Sequence, residues 1–411
     1  MNSLFYRDYK CHYSKTWYDL MCDLSNLDCF TPFCKENDYY KIFLQIICSL
    51  LLNQEITLLD GDFTDQEVEQ LTKKKDIETR TQDIQLPSME FLDKNSFLEY
   101  VFSNHSKWGI SIYTSGTTGL PKKVTHSFES LTRFVKINEQ NNKSVWGFAY
   151  NATHMAGLQV FFQALLNGNE IVRLFGLNKE DIFNQIEEHQ ISRISATPTF
   201  YRMLLPTTST FKSIIRLTSG GEKFDQRASE LLNKVFPNAK ITNVYASTEI
   251  GSLFASQGDV FSLKKELADK IKFIENELFV HKSLLGKLSG QNEEQWYATG
   301  DLIEIVSKEP LKFKFLSRKN EMINVGGYKV NPHEVEEAIR TYNGILDVRV
   351  SGKKNSVLGN IVVCEVVIQK QINEMELRTY LRTRLQEFKI PRIIKFVENI
   401  SSTHTGKTKR R

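Results

Sequence analysis

No stretch of this chain is apolar for long enough to cross a bilayer, which takes about 20 residues. The most apolar run, Ile42 to Leu52, falls well short of that and reads as a buried helix. Met1 to Tyr13 contains Arg7, Asp8 and Lys10 and no apolar core, so no secretory signal is expected there. Charge of one sign is lacking too. The 53 Lys and Arg against 49 Asp and Glu leave a net charge of +4, which gives no reason to expect a nucleic-acid partner. The basic end Lys407 to Arg411 is only five residues long. Cysteine is sparse, with six residues at positions 11, 22, 29, 34, 48 and 364. None forms the C-x-x-C pair of a structural zinc site, so free thiols in a reducing cytoplasm are expected. Zinc held by the N-terminal cysteines and His12 is the alternative. Internal repeats and low-complexity segments are also missing.

What remains is an ordinary globular composition, 41% hydrophobic and 25% charged over 411 residues, enough for two domains. From Ser127 onward, helical and strand patterns alternate. Helices are expected over 127–138, 157–166, 179–189 and 225–235, with strands at 145–150, 170–174, 193–197, 216–219 and 240–245. Such alternation predicts a largely parallel α/β sheet, with ligands beyond the carboxyl ends of its strands. Upstream, a buried helix (41–52), a short strand (55–60) and a polar helix (64–75) precede an exposed connection over 73–85. After Glu304 the character changes. A strand over 311–316, a helix over 333–342, strands at 346–350 and 361–368 and a helix over 374–388 make a compact second α/β unit. The helix at 333 carries acidic residues in its first turn behind Pro332, as the helix dipole favours.

Several short stretches carry chemistry. After the buried strand Trp108 to Tyr113 comes Thr114-Ser115-Gly116-Thr117-Thr118-Gly119-Leu120-Pro121-Lys122. Hydroxyls and bare backbone N–H groups can wrap phosphate oxygens, and Lys122 adds charge. The Walker A pattern cannot be laid over it. Tyr245-Ala246-Ser247-Thr248-Glu249 follows a strand and sets a carboxylate beside a hydroxyl, a combination suited to Mg²⁺ held with phosphates. Ser219-Gly220-Gly221-Glu222 is a tight turn at another strand end. Tyr297-Ala-Thr-Gly-Asp301 ends in a carboxylate that can accept two hydroxyl hydrogen bonds. Each, taken alone, is as well explained by a turn at the end of a strand.

Together, and in their order along the chain, they resemble the acyl-adenylate-forming enzymes: acyl-CoA synthetases, firefly luciferases and peptide-synthetase adenylation domains. The resemblance runs from Ile112 to Arg411, about three-quarters of the chain. It implies a large N-terminal AMP-binding domain (1–319) with mainly parallel sheets and flanking helices, and a small mobile C-terminal α/β lid (320–411). It implies ATP, Mg²⁺ and a thiol acceptor: coenzyme A, or alternatively the phosphopantetheine of an acyl carrier protein. The substrate is a small carboxylic acid. By the same resemblance, Thr114 to Gly119 with Lys122 bind phosphate, and Gly220, Gly221 and Glu222 lie against adenine. Tyr245 is the adenine platform, Ala246 borders the acyl pocket, Thr248 contacts phosphate or acyl-adenylate and Glu249 holds the metal. Asp301 and Arg318 bind ribose. His154 lies near the acyl carboxylate, with Gly157, Gly220, Ala246 and Phe254 around the acid. Asn320 is the hinge, Gly326 and Gly327 belong to the loop that meets the thiol, and Lys407 serves adenylation. A non-catalytic nucleotide-binding relative would be expected to lose Glu249, Asp301, Arg318 or Lys407, and all four are present.

The chain departs from the family pattern at Ala246 and Ser317, where Gly is usual, at Asn320 for Asp or Lys, and at Lys123 for Gly. Only about 110 residues precede the phosphate loop, so a reduced N-terminal subdomain is expected.

Overall fold

The computed structural model describes residues 3–72, 91, 93–103, 105–113, 122–138, 141–222, 226–288, 294–355 and 359–400. An eight-stranded sheet dominates the larger part. Its strands run, edge to edge, Gly251–Ser256, Lys240–Ser247, Arg216–Gly220, Arg193–Ala196, Val145–Phe148, Glu170–Arg173, Leu4–Asp8 and Tyr13–Thr16. All its inner pairings are parallel, and only the two edge strands run antiparallel. A second, mixed sheet is built from Phe33–Glu36, Ile56–Asp60, Gly109–Tyr113, Lys123–Ser127 and Lys287–Leu288.

The helix Tyr39–Leu51 is apolar nearly all round and is buried accordingly. Phe43 stacks on Phe161 of the helix Met155–Leu165 at 4.3 Å, and Tyr39 and Phe148 meet edge-on beside it. Each such fully buried ring stabilises the fold by about 1.5–3 kcal/mol. The aromatic wedge therefore fixes the Met155–Leu165 helix, and with it His154 at its N-cap.

A third, five-stranded sheet is antiparallel throughout, and of its strands the sequence patterns show only the one over 311–316, which they place in the small unit. The long hairpin Trp296–Lys308 and Leu311–Arg318 is its centre. Residues 304–318 thus belong with the larger part, and the change of character at Glu304 marks this hairpin rather than the small unit. The small unit follows: Ile323–Val325, Tyr328–Val330, Ile345–Asn355, Gly359–Ile368 and Ile393–Phe396 form one sheet, with helices Pro332–Arg340 and Glu374–Arg382 beside it. It has its own core around Val335, Val350, Val366 and Leu377.

Two expected helices are shorter than their patterns suggested. The one after Ser127 covers only Phe128–Thr132. Beyond it the Lys136 carbonyl accepts from the side-chain amides of Asn141, Gln163 and Asn167, which hold the chain in a non-helical path. The last helix stops at Arg382, where Arg378 reaches across to the Pro391 carbonyl and a separate turn covers Glu387–Lys389. Conversely, Pro198, read as a strand stop, also opens the helix Pro198–Met203, as proline at N1 allows. The connection over 73–85 lies outside the described residues. Among the described residues, no helix is long and apolar enough to cross a membrane. The six cysteines carry free thiols, and no cluster of three or more metal-ligating side chains occurs among the described residues.

Candidate active site

Three adjacent parallel strands, Arg193–Ala196, Arg216–Gly220 and Lys240–Ser247, end at one edge of the large sheet. A cavity of about 940 Å³ lies along their face, roofed by the helix Met155–Leu165. Its upper end is lined by Gly220, Gly221, Ala246 and Thr248. A Cβ on Gly220 would stand 3.1 Å from the Val244 carbonyl, and Gly221 has φ +84°, so this turn is built for glycine. Glu222 points away from the cavity. Its carboxylate accepts from the Thr199 hydroxyl at 2.6 Å and tethers the helix Pro198–Met203.

Thr248 and Glu249 form the turn after Ser247, and two long-range contacts hold their carbonyls. His126 bonds the Thr248 carbonyl through Nε2 at 2.8 Å, and the Gly286 N–H donates to the Glu249 carbonyl at 2.8 Å. A carbonyl can only accept, so Nε2 carries the proton and Nδ1 accepts from Ser130 at 2.9 Å. Burial pulls the His126 pKa down, which keeps the ring in this neutral tautomer. The Glu249 side chain has no hydrogen-bond or ion-pair partner among the described residues.

Tyr245, Asp301 and Arg318 form a compact group. The Tyr245 hydroxyl donates to Asp301 at 2.6 Å, and Arg318 Nε pairs with the other carboxylate oxygen at 3.1 Å. Asp301 and Arg318 face each other in the antiparallel hairpin, which accounts for their meeting. Burial raises the Asp301 carboxyl pKa, and Arg318 opposes that rise. One face of the Tyr245 ring is stacked on Phe315 at 4.1 Å.

At the cavity's other wall, His154 Nε2 lies 3.0 Å from Asp60, which also accepts from Asn151. Burial alone would raise the Asp60 pKa. The hydrogen bond and charge of His154 outweigh it and bring the carboxyl below its ordinary value. Ala246 and Phe254 line the cavity as the sequence suggested, but Gly157 does not. A Cβ there would stand 2.1 Å from the Asn151 carbonyl, so this glycine serves the packing of the helix N-terminus.

Asp60, His126, Asn151 and Gly286 are the site residues that sequence reasoning missed. His126 left one signal: it shares the inward face of its strand with Val124. Asn320 sits exposed in the turn between Arg318 and Ile323. Gly326 and Gly327 form the next turn, with φ +57° and +91°. Lys122 is exposed and is not among the residues lining the cavity. The loop Thr114, Ser115, Gly116, Thr117, Thr118 and Gly119 lies outside the described residues, and so does Lys407. The small unit touches the larger part where Arg202 Nε approaches Asp347 at 3.5 Å and the Asn331 amide donates to the Leu316 carbonyl.

Comparison with known proteins bears on the family and the fold. The AMP-binding enzyme family model matches residues 54–271, and the AMP-binding enzyme C-terminal domain model matches residues 334–407. A 2-succinylbenzoate–CoA ligase of Listeria monocytogenes serotype 4b (strain F2365) is 27% identical over 319 residues, covering 73% of this chain and 68% of the relative. Among solved structures, the o-succinylbenzoate CoA synthetase of Bacillus subtilis, in complex with its acyl-adenylate intermediate, superposes with a TM-score of 0.71 at 19% identity. It covers 99% of this chain and 93% of that one. ATP-bound MatB from Rhodopseudomonas palustris gives 0.75 at 15% identity, covering 99% and 94%. These two likenesses are of fold. The first family model alone takes in more than half of the sequence, and on that match the chain belongs to the AMP-binding enzyme family.

Proposed function

We propose that this protein is an ATP-dependent, AMP-forming ligase that joins a carboxylic acid to the thiol of coenzyme A. In the first half-reaction the acid's carboxylate oxygen attacks the α-phosphorus of ATP, and pyrophosphate leaves. In the second, the thiol sulfur attacks the acyl carbonyl of the adenylate, loses its proton, and AMP leaves. The observation that carries the reading is a cavity whose upper end meets Gly220, Ala246 and Thr248 and whose wall holds the His154–Asp60 pair. It offers one place where an acid and a nucleotide can face each other.

Residue roles follow from chemistry. Asp301, with Arg318 beside it, accepts the ribose hydroxyls. Tyr245 turns its remaining face to adenine. The unpartnered Glu249 carboxylate fits a divalent cation, which would neutralise triphosphate charge when bound. His154, oriented by Asp60, lines the wall beside the acid's carboxylate. The loop Thr114 to Gly119, with Lys122, wraps the phosphates. Lys407 stabilises charge on the α-phosphate as pyrophosphate departs. Asn320, exposed in a turn between the two parts, is the hinge about which the small unit turns to bring Gly326 and Gly327 toward the thiol. The relatives' acid, 2-succinylbenzoate, is the first candidate substrate.

The test is acid-dependent exchange of pyrophosphate into ATP without any thiol, followed by addition of coenzyme A. Exchange with an acid, and AMP release on adding coenzyme A, is the expected result. Exchange that turns over only with a phosphopantetheinylated carrier protein would move the acceptor to that class. ATP binding without exchange for any acid would defeat the ligase reading.

A further inference from the structure

The cavity does not end at the acid's carboxylate. It continues down the face of the large sheet toward the amino ends of the same three strands. Arg216 is paired in register with Arg193 on one side and with Lys240 on the other. Residues in register on parallel strands project to the same face, so these three cations form one rung across the sheet. Two residues further along, Ser195, Thr218 and Thr242 form a rung of hydroxyls, and the Tyr150 hydroxyl meets Ser195. Beyond that lie Gly220 and Val244, at the chemical end. The four residues from Arg216 to Gly220 span about 13 Å of strand.

The charge along this channel is lopsided. Among its described lining residues are five Lys and Arg side chains and one carboxylate, Asp60, which is engaged by His154 at the other end. Arg193 is 6% exposed and held in place: Nε donates to the Ser144 hydroxyl and a terminal nitrogen to the Asn141 side-chain oxygen Oδ1, each at 2.7 Å, with Trp146 against the guanidinium. Both hydrogen-bond partners are neutral. Among the described residues no carboxylate pairs with Arg193, Arg216 or Lys240. Burial and the neighbouring Arg216 both push the Arg193 pKa down, so two guanidinium groups are kept close without a counter-charge. Arg216 and Lys240 are exposed, whereas Arg193 is a buried cation with neutral partners only, and such a charge is costly unless something anionic meets it.

We infer that the Arg193–Arg216–Lys240 rung is a distal anion subsite, and that the acid activated here carries a second anionic group, a carboxylate, at the end remote from the one that is adenylated. The inference rests on the ligase reading. It deepens that reading by naming the residues that would select for a second anionic group on the acid. The hydroxyl rung between the two ends suits a carbonyl or hydroxyl in the middle of that acid. Arg193, fixed by Ser144 and Asn141, sets the position of the anion. Arg216 and Lys240, more exposed, close over it from the neighbouring strands.

The experiment is thiol-free pyrophosphate exchange with matched pairs of acids: suberate against octanoate, and 2-succinylbenzoate against 3-benzoylpropanoate, which lacks the ring carboxylate. Wild type is expected to favour the diacid of at least one pair by tenfold or more in kcat/KM. The Arg216→Gln/Lys240→Gln double variant is expected to lose that preference through KM for the diacid, with monoacid exchange unchanged. Monoacid exchange also reports that the variant is folded. Equal use of diacid and monoacid by wild type, or an equal fall for both in the variant, would overturn the subsite. So would a variant in which only KM for coenzyme A rises, since that would assign the rung to the thiol's phosphates. If no acid supports exchange, the ligase reading fails on its own. Calorimetric binding of the same pairs to wild type and variant then decides the subsite, with diacid-selective binding upholding it and its absence ending it.

Discussion

Gly286 shows how a residue remote from any reacting atom can set the geometry of the nucleotide end. It packs against the ring of His126, and its N–H holds the Glu249 carbonyl while His126 holds that of Thr248. A methyl group there would stand 2.6 Å from His126 Cε1, 2.8 Å from its Nε2 and 2.8 Å from a Val124 methyl. No real Cβ tolerates such distances, and His126 is fully buried, pinned at both nitrogens. Gly286→Ala must therefore push the ring off the Thr248 carbonyl. Overpacking of this kind costs about 1–3 kcal/mol. Leaving a buried carbonyl unpaired costs about 1–3 kcal/mol more. We expect a loss of about 3 kcal/mol in urea unfolding. The Thr248–Glu249 turn is displaced with it, so exchange should fall by about tenfold or more, which equals about 1.4 kcal/mol of barrier. The decisive comparison is made in a His126→Ala background, where the ring is gone. There the added methyl should cost about 1 kcal/mol or less, because residues sharing a contact are not additive. If Gly286→Ala left stability and exchange at wild-type levels, or cost the same with and without His126, the packing argument would be refuted.

Three further outcomes follow from the site. Burial holds the Asp301 carboxyl pKa above its unfolded value, so its contribution to stability is fully present in acid and is lost as pH rises through the folded pKa. Asp301→Asn should therefore unfold at or above the wild-type temperature at pH 7.5 while KM for ATP rises at least about tenfold; a drop of several degrees would contradict this. The Asp60 pKa is shifted the other way, so its contribution is present above about pH 4 and is lost as pH falls below that. Wild type should then lose stability below about pH 4 more steeply than Asp60→Asn, as followed by thermal melts at each pH, and parallel curves would argue against the His154–Asp60 pair as the cause. The half-reactions should separate: Lys407→Ala lowers pyrophosphate exchange by about 10²–10³ and spares thioester formation from supplied acyl-adenylate, whereas Gly327→Trp does the reverse. Equal effects on both halves in either variant would remove that residue from its assigned step.

The features legible in the sequence are those a single strand and its following turn can encode. Gly220–Gly221, Tyr245 to Glu249 and Asp301 each close a strand, and the order of hydroxyl, glycine and carboxylate is local information. Where a local pattern misled, a distant partner had intervened. Leu131, Phe134 and Ile137 recur at helical spacing, yet three amides, two of them from the Met155–Leu165 helix and the turn after it, claim the Lys136 carbonyl and end the helix at Thr132. The residues that orient the chemistry were hidden for the same reason. Asp60 lies 94 positions from His154, and His126 lies 122 from Thr248. Neither partner marks itself in its own neighbourhood, since a polar residue on an inward strand face reads as an ordinary satisfied core group. The cationic rung is the extreme case. Arg193, Arg216 and Lys240 each look like a strand's solvated first residue, and only the register of three parallel strands turns them into one surface. Sheet order is thus what converts unremarkable residues into a site. On the proposed subsite, specificity would reside in positions that a motif search passes over, and the shared chemistry in those it finds.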